Sequence, residues 1–455
     1  MQYVSTRSRK GQGKVSFFEA FAQGMAPDGG LYVPEFLPSL PDDLVTEDSE
    51  PYPALAVDIL EMFDTDHTPD QAFRLVDKSY SNFTDLATAP LRQLDEHLFV
   101  LELFHGPTLS FKDFGLQLIG NLFEDQIRRT GEPINVLGAT SGDTGSAAIH
   151  GLANKEGVNV FILYPKGRIS ELQERQMTCT GANNVFPIPI DGTFDDAQRI
   201  VKELFADREF KEQVRLSAIN SINVARVLAQ SIYYLHAFMQ IPPDRSNEVE
   251  FIVPTGNFGN VFAGWMAAKM GVPCNRFVVA TNRNDILYRL FSSGVYEQNG
   301  VTKSLAPSMD IEVASNFERF LYYHLDGDGE TVEALMKQAK ETGRLEVPNF
   351  DPGMFSATRC TDREILENIR MIHEKYDYIV DPHTACGFQQ IEPEWNSVIL
   401  ATAHPAKFPD VIDDALGIRP KHPILESLRE RRQVRFALDP DADEVKAFML
   451  LNGAL

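Results

Sequence analysis

Residues 134–165, INVLGATSGDTGSAAIHGLANKEGVNVFILYP, decide the fold. An apolar run without alternation, INVLGA, gives way to a turn rich in glycine and hydroxyls, then to a helical stretch, then to a second apolar run, VNVFILYP. Strands that are apolar on both faces and joined through a helix belong to parallel sheets covered on both sides. The unit recurs along the chain: HLFVLELF leads into FGLQLIGNLFEDQIRR, VEFIVP into GNFGNVFAGWMAAKMG and then NRFVVATN, and NSVILATA follows near Ile399. In the first of these, Leu116, Ile119, Leu122, Phe123 and Ile127 fall at helical spacing and predict an amphipathic helix. The fold class is therefore α/β. Ligands of such open sheets sit where loops leave the carboxyl ends of the strands, and each unusual loop of this sequence lies at such an end.

Outward from this pattern, the first 95 residues read differently. A loop punctuated by Gly and Pro, APDGGLYVPEFLPSLPDD, precedes helical patterns around YPALAVDILEMF and DQAFRLVDKSY. At 455 residues the chain exceeds what one hydrophobic core sustains, so two or three packed units are expected. With 43% hydrophobic and 24% charged residues the composition is that of a globular protein. A net charge of −23 repels phosphate backbones and anionic lipid surfaces, which argues against nucleic acid and membranes as partners. It leaves an anionic small substrate open, because aimed N–H groups and a few basic side chains set the potential inside a cleft. Cys179, Cys274, Cys360 and Cys386 are scattered singly, which suggests a reducing compartment and no structural metal. The amino terminus lacks the apolar core of a secretory signal, and no apolar run is long enough to span a bilayer. A cytoplasmic protein is expected.

Three loops carry the candidate chemistry. IVPTGNFGNVFAGWMAA sets Gly256, Asn257, Phe258, Gly259 and Asn260 between a strand and a helix, where glycines let the backbone approach an anion and the first helical N–H groups point at it. The alternative is a tight turn and nothing more. It is not a P-loop, and no G-x-G-x-x-G opens a βαβ unit. GATSGDTGSAA offers the hydroxyls of Thr140, Ser141, Thr144 and Ser146 beside Gly142, Asp143 and Gly145, enough to grip a carboxylate or phosphate. Here the alternative is an ordinary helix cap. LELFHGPTLSFKDFGLQLIG places Lys112 at the mouth of a helix between Phe111 and Phe114. Desolvation there can lower an amine from its usual pKa of about 10.4 and free it to form a Schiff base. A solvated surface lysine is the competing reading.

FHGPTLSFKD, ATSGDTG, PTGNFGN and ATAHPAKFP, in this order, resemble threonine synthases, and YVSTRS with DGGLYVP resembles that family's N-terminal domain. The resemblance runs to about Ala406. It implies a tryptophan-synthase-beta-like fold, pyridoxal-phosphate fold type II, with two parallel-sheet domains and a mostly helical N-terminal one. The expected division is 1–95 for the N-terminal domain, 96–130 with 216–455 for the cofactor domain, and 131–215 for a small domain carrying SGDTG.

By the same resemblance Lys112 matches the lysine that binds pyridoxal 5'-phosphate covalently and serves catalysis. Gly256 to Asn260 match the loop for the cofactor phosphate, and Thr402 the hydroxyl facing the pyridine nitrogen. Thr140, Ser141, Gly142 and Thr144 match the loop that holds the substrate carboxylate beside the cofactor ring. Asp143 occupies a position where many relatives carry Asn, and a carboxylate there is repelled by the cofactor's phenolate oxygen unless protonated or turned away. In NSINVARVLAQ, Asn220, Ser221, Asn223 and Arg226 stand at a helix start, suited equally to a substrate phosphate and to capping. DPHTACGF, Asp381 to Phe388, is expected between a strand and a helix, offering His383 and Thr384 to the cleft; a hydrogen-bonded core histidine is the alternative. His404 has the same two readings, and Lys407 is a candidate cation for the substrate phosphate. No metal is expected.

The implied activity is conversion of O-phospho-L-homoserine and water to L-threonine and phosphate, the last step of threonine biosynthesis, by a carbon–oxygen lyase that is a monomer or homodimer. Two other readings differ in kind. One is a phospho-lyase or amino-acid dehydratase on the same fold that releases a 2-oxo acid. The other is a non-catalytic nucleotide-binding module, against which the absence of both nucleotide fingerprints counts.

Overall fold

The computed structural model describes residues 1–41, 44, 50–140, 142–219, 221–246 and 248–453. Its chain divides into two compact units: 1–76, 83–105 and 221–420 form the first, and 77–82, 106–220 and 421–455 the second.

The first unit is built on a six-stranded sheet in the order Phe355–Arg359, Arg276–Thr281, Val249–Pro254, Asn396–Ala401, Leu98–Glu102, Leu91–Asp95. All neighbours pair in parallel except Leu91–Asp95, which closes one edge antiparallel. The central strands Val249–Pro254, Asn396–Ala401 and Leu98–Glu102 are buried along their whole length, as their mainly apolar, unalternating runs predict, with Glu250, Asn396, Ser397 and Glu102 buried among them. One core cluster gathers Leu98, Val100, Ile252, Val278 and Ile399 with Ile365, Ile369 and Ile372 of the helix Asp362–Tyr376. The N-terminal segment contributes a two-stranded sheet, Tyr3–Ser5 with Tyr32–Pro34, and the helix Tyr52–Phe63. Buried Arg319 ties this segment down by donating from Nε to the Tyr32 carbonyl at 3.0 Å.

The second unit carries a four-stranded, wholly parallel sheet ordered Val185–Ile190, Val158–Pro165, Ile134–Ala139, Leu216–Ala218. The opening stretch thus forms two adjacent strands and the helix Asp143–Leu152 between them in sequence. The edge strand Val185–Ile190 contains Pro187 and Pro189, which have no N–H for a neighbour. Their carbonyls accept from Phe436 N at 2.9 Å and Leu438 N at 3.3 Å. The carboxyl-terminal segment thereby covers this edge, and its Phe436 and Phe448 pack on Phe186. The expected division had left this segment with the cofactor domain, because a sheet edge and its cover lie far apart in sequence.

The helix Lys112–Thr130 also departs from expectation. It is buried on all sides from Lys112 to Phe123, polar Asp113, Gln117 and Asn121 included, where an amphipathic helix was predicted. Its partner is the helix Asp143–Leu152. A Cβ on Gly120 would lie 1.9 Å from the Gly151 carbonyl oxygen, and one on Gly151 would lie 2.3 Å from that of Leu116. Two glycines therefore let the helices that begin with Lys112 and Asp143 cross backbone against backbone.

Candidate active site

In the first unit, Val249–Pro254 ends in a turn that reopens as the helix Gly259–Met270. Phe258, its N-cap, is left-handed at φ 63°, a conformation unfavourable for an aromatic residue. The rings of Phe291, Phe320 and Phe355, 5.7–6.0 Å away, pack around Phe258 and hold it there. The Asn257 carbonyl accepts from Asn316 N at 3.0 Å and Nδ2 at 3.1 Å. A Cβ on Gly259 would come within 3.0 Å of that same Asn316 amide, so the turn is braced from outside.

Asn260 gives the test of what this turn holds. Its Oδ1 accepts from the hydroxyls of Tyr233 at 2.6 Å and Tyr234 at 2.8 Å. That fixes the amide orientation, and Nδ2 is left buried with no hydrogen-bond partner among the described residues. Leaving a donor so costs about 1–3 kcal/mol. A ligand bearing anionic oxygens, such as the phosphate of pyridoxal phosphate, supplies what is missing, and the residues fit that group.

Thr402 follows the strand Asn396–Ala401, and its backbone N–H donates to Thr384 Oγ1 at 3.2 Å. Asp381 to Phe388 does not lie between a strand and a helix as expected. It follows the helix Asp362–Tyr376 and itself forms the short helix Pro382–Ala385. His383 is buried, with Nδ1 2.7 Å from Asp381 Oδ1, and Nε2 accepts from Ser308 N at 3.1 Å. Of its two expected readings, this is the hydrogen-bonded core residue.

Asn223 caps the helix Val224–Gln240, its Oδ1 accepting from Ala225 N, and its Nδ2 donates to the Phe21 carbonyl at 3.0 Å. Arg226 is buried in the first turn, and desolvation pushes its guanidinium down to about 10. Lys407 is buried in the turn Pro405–Lys407, whose cap is His404, Nδ1 accepting from Ala406 N at 3.1 Å. Ser141 and Asn220 lie outside the described residues.

In the second unit, Lys112 opens its helix after a turn made rigid by Asp113, which accepts from Thr108 N at 2.8 Å and Thr108 Oγ1 at 2.7 Å. A Cβ on Gly106 would meet the Asp113 side chain at 2.5 Å, which explains the glycine of FHGPT. Lys112 is 9% exposed, so a surface lysine is excluded. Its Nζ lies 3.8 Å from Asp143 Oδ2 and 5.3 Å from the Phe111 ring centroid.

Thr140 organises the following loop rather than reaching out of it. Its Oγ1 accepts from Gly142 N at 3.1 Å and Gly145 N at 2.9 Å. Asp143 Oδ1 accepts from Gln173 Nε2 at 3.2 Å, and a Cβ on Gly142 would strike the Gln173 amide at 2.6 Å. Thr144 is half-buried in the first turn. Gln173, Asp381, Tyr233 and Tyr234 are contacts the sequence reading missed. Tyr233 and Tyr234 lie 27 and 26 residues from Asn260, and no local motif marks them.

Comparison with known proteins gives the family. Three family models match in succession: the threonine synthase N terminus over residues 2–80, pyridoxal-phosphate dependent enzymes over 83–397, and the threonine synthase C-terminal model over 383–449. Threonine synthase from Pseudomonas aeruginosa is 42% identical, covering 100% of this chain and 99% of that protein. The Saccharomyces cerevisiae threonine synthase is 42% identical over 91% of this chain and 89% of its own length. Among solved structures, pyridoxal-phosphate-bound threonine synthase from Brucella melitensis superposes with a TM-score of 0.96 at 39% identity, both chains fully covered. Maize serine racemase shares the fold alone, with a TM-score of 0.52 at 16% identity over 73% of this chain and 92% of its own. Fold and cradle together define a pyridoxal-phosphate-dependent enzyme of fold type II. Within that class the N- and C-terminal models are specific, and the chain belongs to the threonine synthase family. Among the described residues no helix is long and apolar enough to cross a membrane, and no cluster of metal-binding side chains occurs.

Proposed function

We propose that the protein converts O-phospho-L-homoserine and water to L-threonine and phosphate in the cytoplasm, as the last step of threonine biosynthesis. The observation that carries this is the match along the whole chain to proteins named threonine synthase, N- and C-terminal segments included.

Lys112 is the point of covalent attachment of pyridoxal phosphate through a Schiff base, and the N–H groups from Gly256 to Asn260, with Asn260 Nδ2, hold the cofactor phosphate. The Thr402 hydroxyl faces the pyridine nitrogen. When bound, the cofactor supplies an electron-accepting ring conjugated to the substrate's amino nitrogen. Thr140, Ser141, Gly142 and Thr144 form the carboxylate loop, whose turn Thr140 fixes by accepting from the N–H groups of Gly142 and Gly145.

Lys112, once its amine is released, takes the Cα proton and later returns it. A Cβ proton is also lost as the Cγ–O bond breaks and phosphate departs; Cγ is then reprotonated, and water adds its oxygen to Cβ as one O–H bond breaks, the net proton leaving with the phosphate. Arg226 and Lys407 meet the charge of the departing phosphate, with Asn223 holding the helix start that carries Arg226.

The test is product analysis with phosphohomoserine, where threonine and phosphate in equal amounts are expected and 2-oxobutanoate would overturn the assignment. Lys112→Ala is expected to abolish turnover and the visible cofactor band. Borohydride reduction of the wild-type protein should label the peptide containing SFKD; a label elsewhere removes Lys112 from the reaction.

A further inference from the structure

Asp381 is fully buried and receives four donors. His383 N at 2.9 Å and Nδ1 at 2.7 Å reach Oδ1; Thr384 N at 3.3 Å and Thr384 Oγ1 reach Oδ2. Capping the short helix Pro382–Ala385 accounts for the two backbone donors. The two side-chain donors are left over, and each leads to a different part of the first unit.

The His383 arm runs to the phosphate turn. Ser308 N donates to Nε2 at 3.1 Å, and because an amide N–H only donates, Nε2 carries the lone pair and the proton sits on Nδ1 toward Asp381. Both ends of the ring are thus fixed in one neutral tautomer, with Phe408 packed edge-on at 4.8 Å. Ser308 is in the turn Pro307–Met309, which lies directly behind Gly256: a Cβ there would be 3.3 Å from the Ser308 carbonyl oxygen and 3.2 Å from Met309 Cα. The Thr384 arm runs to Thr402. Its hydroxyl gives its proton to Asp381 and accepts from Thr402 N at 3.2 Å, fixing the backbone of that residue.

We infer that Asp381 is a positioning residue that sets the Gly256 turn through His383 and Ser308, and Thr402 through Thr384, so that one buried carboxylate aligns both seats of the cofactor. The inference rests on the proposed roles of Gly256 to Asn260 as phosphate seat and of Thr402 as the group facing the pyridine nitrogen. It accounts for why a charged side chain is kept in this core, where burial is costly unless every oxygen is satisfied.

The two arms can be cut separately in the full-length protein, reading equilibrium affinity for pyridoxal phosphate and the visible spectrum of the loaded enzyme. His383→Phe keeps the ring volume and removes the first arm. Cofactor affinity is expected to fall about tenfold or more, with the absorption maximum unchanged. His383→Gln, able to donate to Asp381 and accept from Ser308, restores most of that loss. Thr384→Val removes the second arm while keeping shape. Affinity is expected to stay within about threefold while the absorption maximum moves and kcat falls, KM unchanged. Should the core variant fail to fold, Ser308→Pro removes the same N–H from the other side, together with the hydroxyl, at a half-buried position and is expected to reproduce the affinity loss of the first arm, whereas Ser308→Ala, which keeps the N–H, is not. Identical profiles for the two arms, or melting shifts with affinity and spectrum unaltered, would overturn the inference. Asn260→Ala is the control. If it lowers cofactor affinity and His383→Phe and Ser308→Pro do not, the relay alone is wrong; if Asn260→Ala and Gly256→Val both leave affinity intact, the phosphate seat is wrong.

Discussion

Lys112 Nζ stands 3.8 Å from Asp143 Oδ2, and each of the two residues is the first of its helix. The positive end of a helix dipole favours the carboxylate and opposes the ammonium, so Asp143 offsets a field that works against Lys112. Asp143 also has a second commitment, to Gln173 Nε2. Asp143→Asn preserves an acceptor for Gln173 and removes only the charge beside Lys112, so it is expected to cost no more than about 1 kcal/mol. Asp143→Ala strands a buried donor and is expected to cost about 1–3 kcal/mol in denaturant unfolding. Equal stability of the two variants would show that Gln173 does not depend on this carboxylate.

Gly120 and Gly151 set how those two helices cross. A methyl group at 120 has a backbone carbonyl 1.9 Å away and no flexible side chain to push aside. Gly120→Ala is therefore expected to lower stability by about 1–3 kcal/mol, despite alanine's better helix propensity. It also displaces Lys112 relative to Asp143, so borohydride trapping at Lys112 should slow. A variant as stable as the parent would show that the crossing has room to open.

Much of this architecture was legible in the chain. Unalternating strands such as VNVFILYP and VEFIVP announce parallel sheets because burial on both faces removes the need for a polar side. The turns after INVLGA and VEFIVP stood out because glycine clusters there with hydroxyl or amide side chains between an apolar run and a helix. Illegible were the partners that brace the turns: Gln173 under Gly142, the two tyrosines on Asn260, and Asp381 joined to both Ser308 and Thr402. Each of these side chains is ordinary in its local sequence, and only the tertiary fold brings it to its contact. The same holds for the carboxyl-terminal cover of Val185–Ile190: Pro187 and Pro189 mark the strand as an edge, and nothing in it names the segment that covers its carbonyls.

His236 sets an acid limit on the first unit. It lies in the helix Val224–Gln240, edge-on to Tyr52 at 5.2 Å, and desolvation pushes it down to about 4 against a smaller upward pull from the Ala87 backbone. The unfolded chain binds this proton near 6.5. Above 6.5 both states are neutral and the full stability is present; as pH falls from 6.5 toward 4 only the unfolded chain takes the proton, and about 3 kcal/mol is lost. His236→Phe is expected to flatten the decline of unfolding free energy across that interval. An unchanged slope would assign the acid limb to other groups.

The carboxyl-terminal segment is expected to be indispensable to the second unit. Val445 and Met449 are fully buried in its core cluster beside Phe161 and Ile188, and Val434, Phe436 and Leu438 donate backbone N–H groups to Thr178, Pro187 and Pro189. Removing residues 421–455 uncovers both an aromatic core face and the carbonyl row of Val185–Ile190, an edge prone to pair with other chains. The truncated protein is expected to be recovered as aggregate. Met449→Ala, which keeps the backbone cover and loses only core volume, should instead remain soluble and less stable by about 2–5 kcal/mol. The contrast separates the two roles of the segment: a soluble truncation would mean that Pro187 and Pro189 protect the edge unaided, and a Met449→Ala protein of parental stability would mean that the cover contributes no packing.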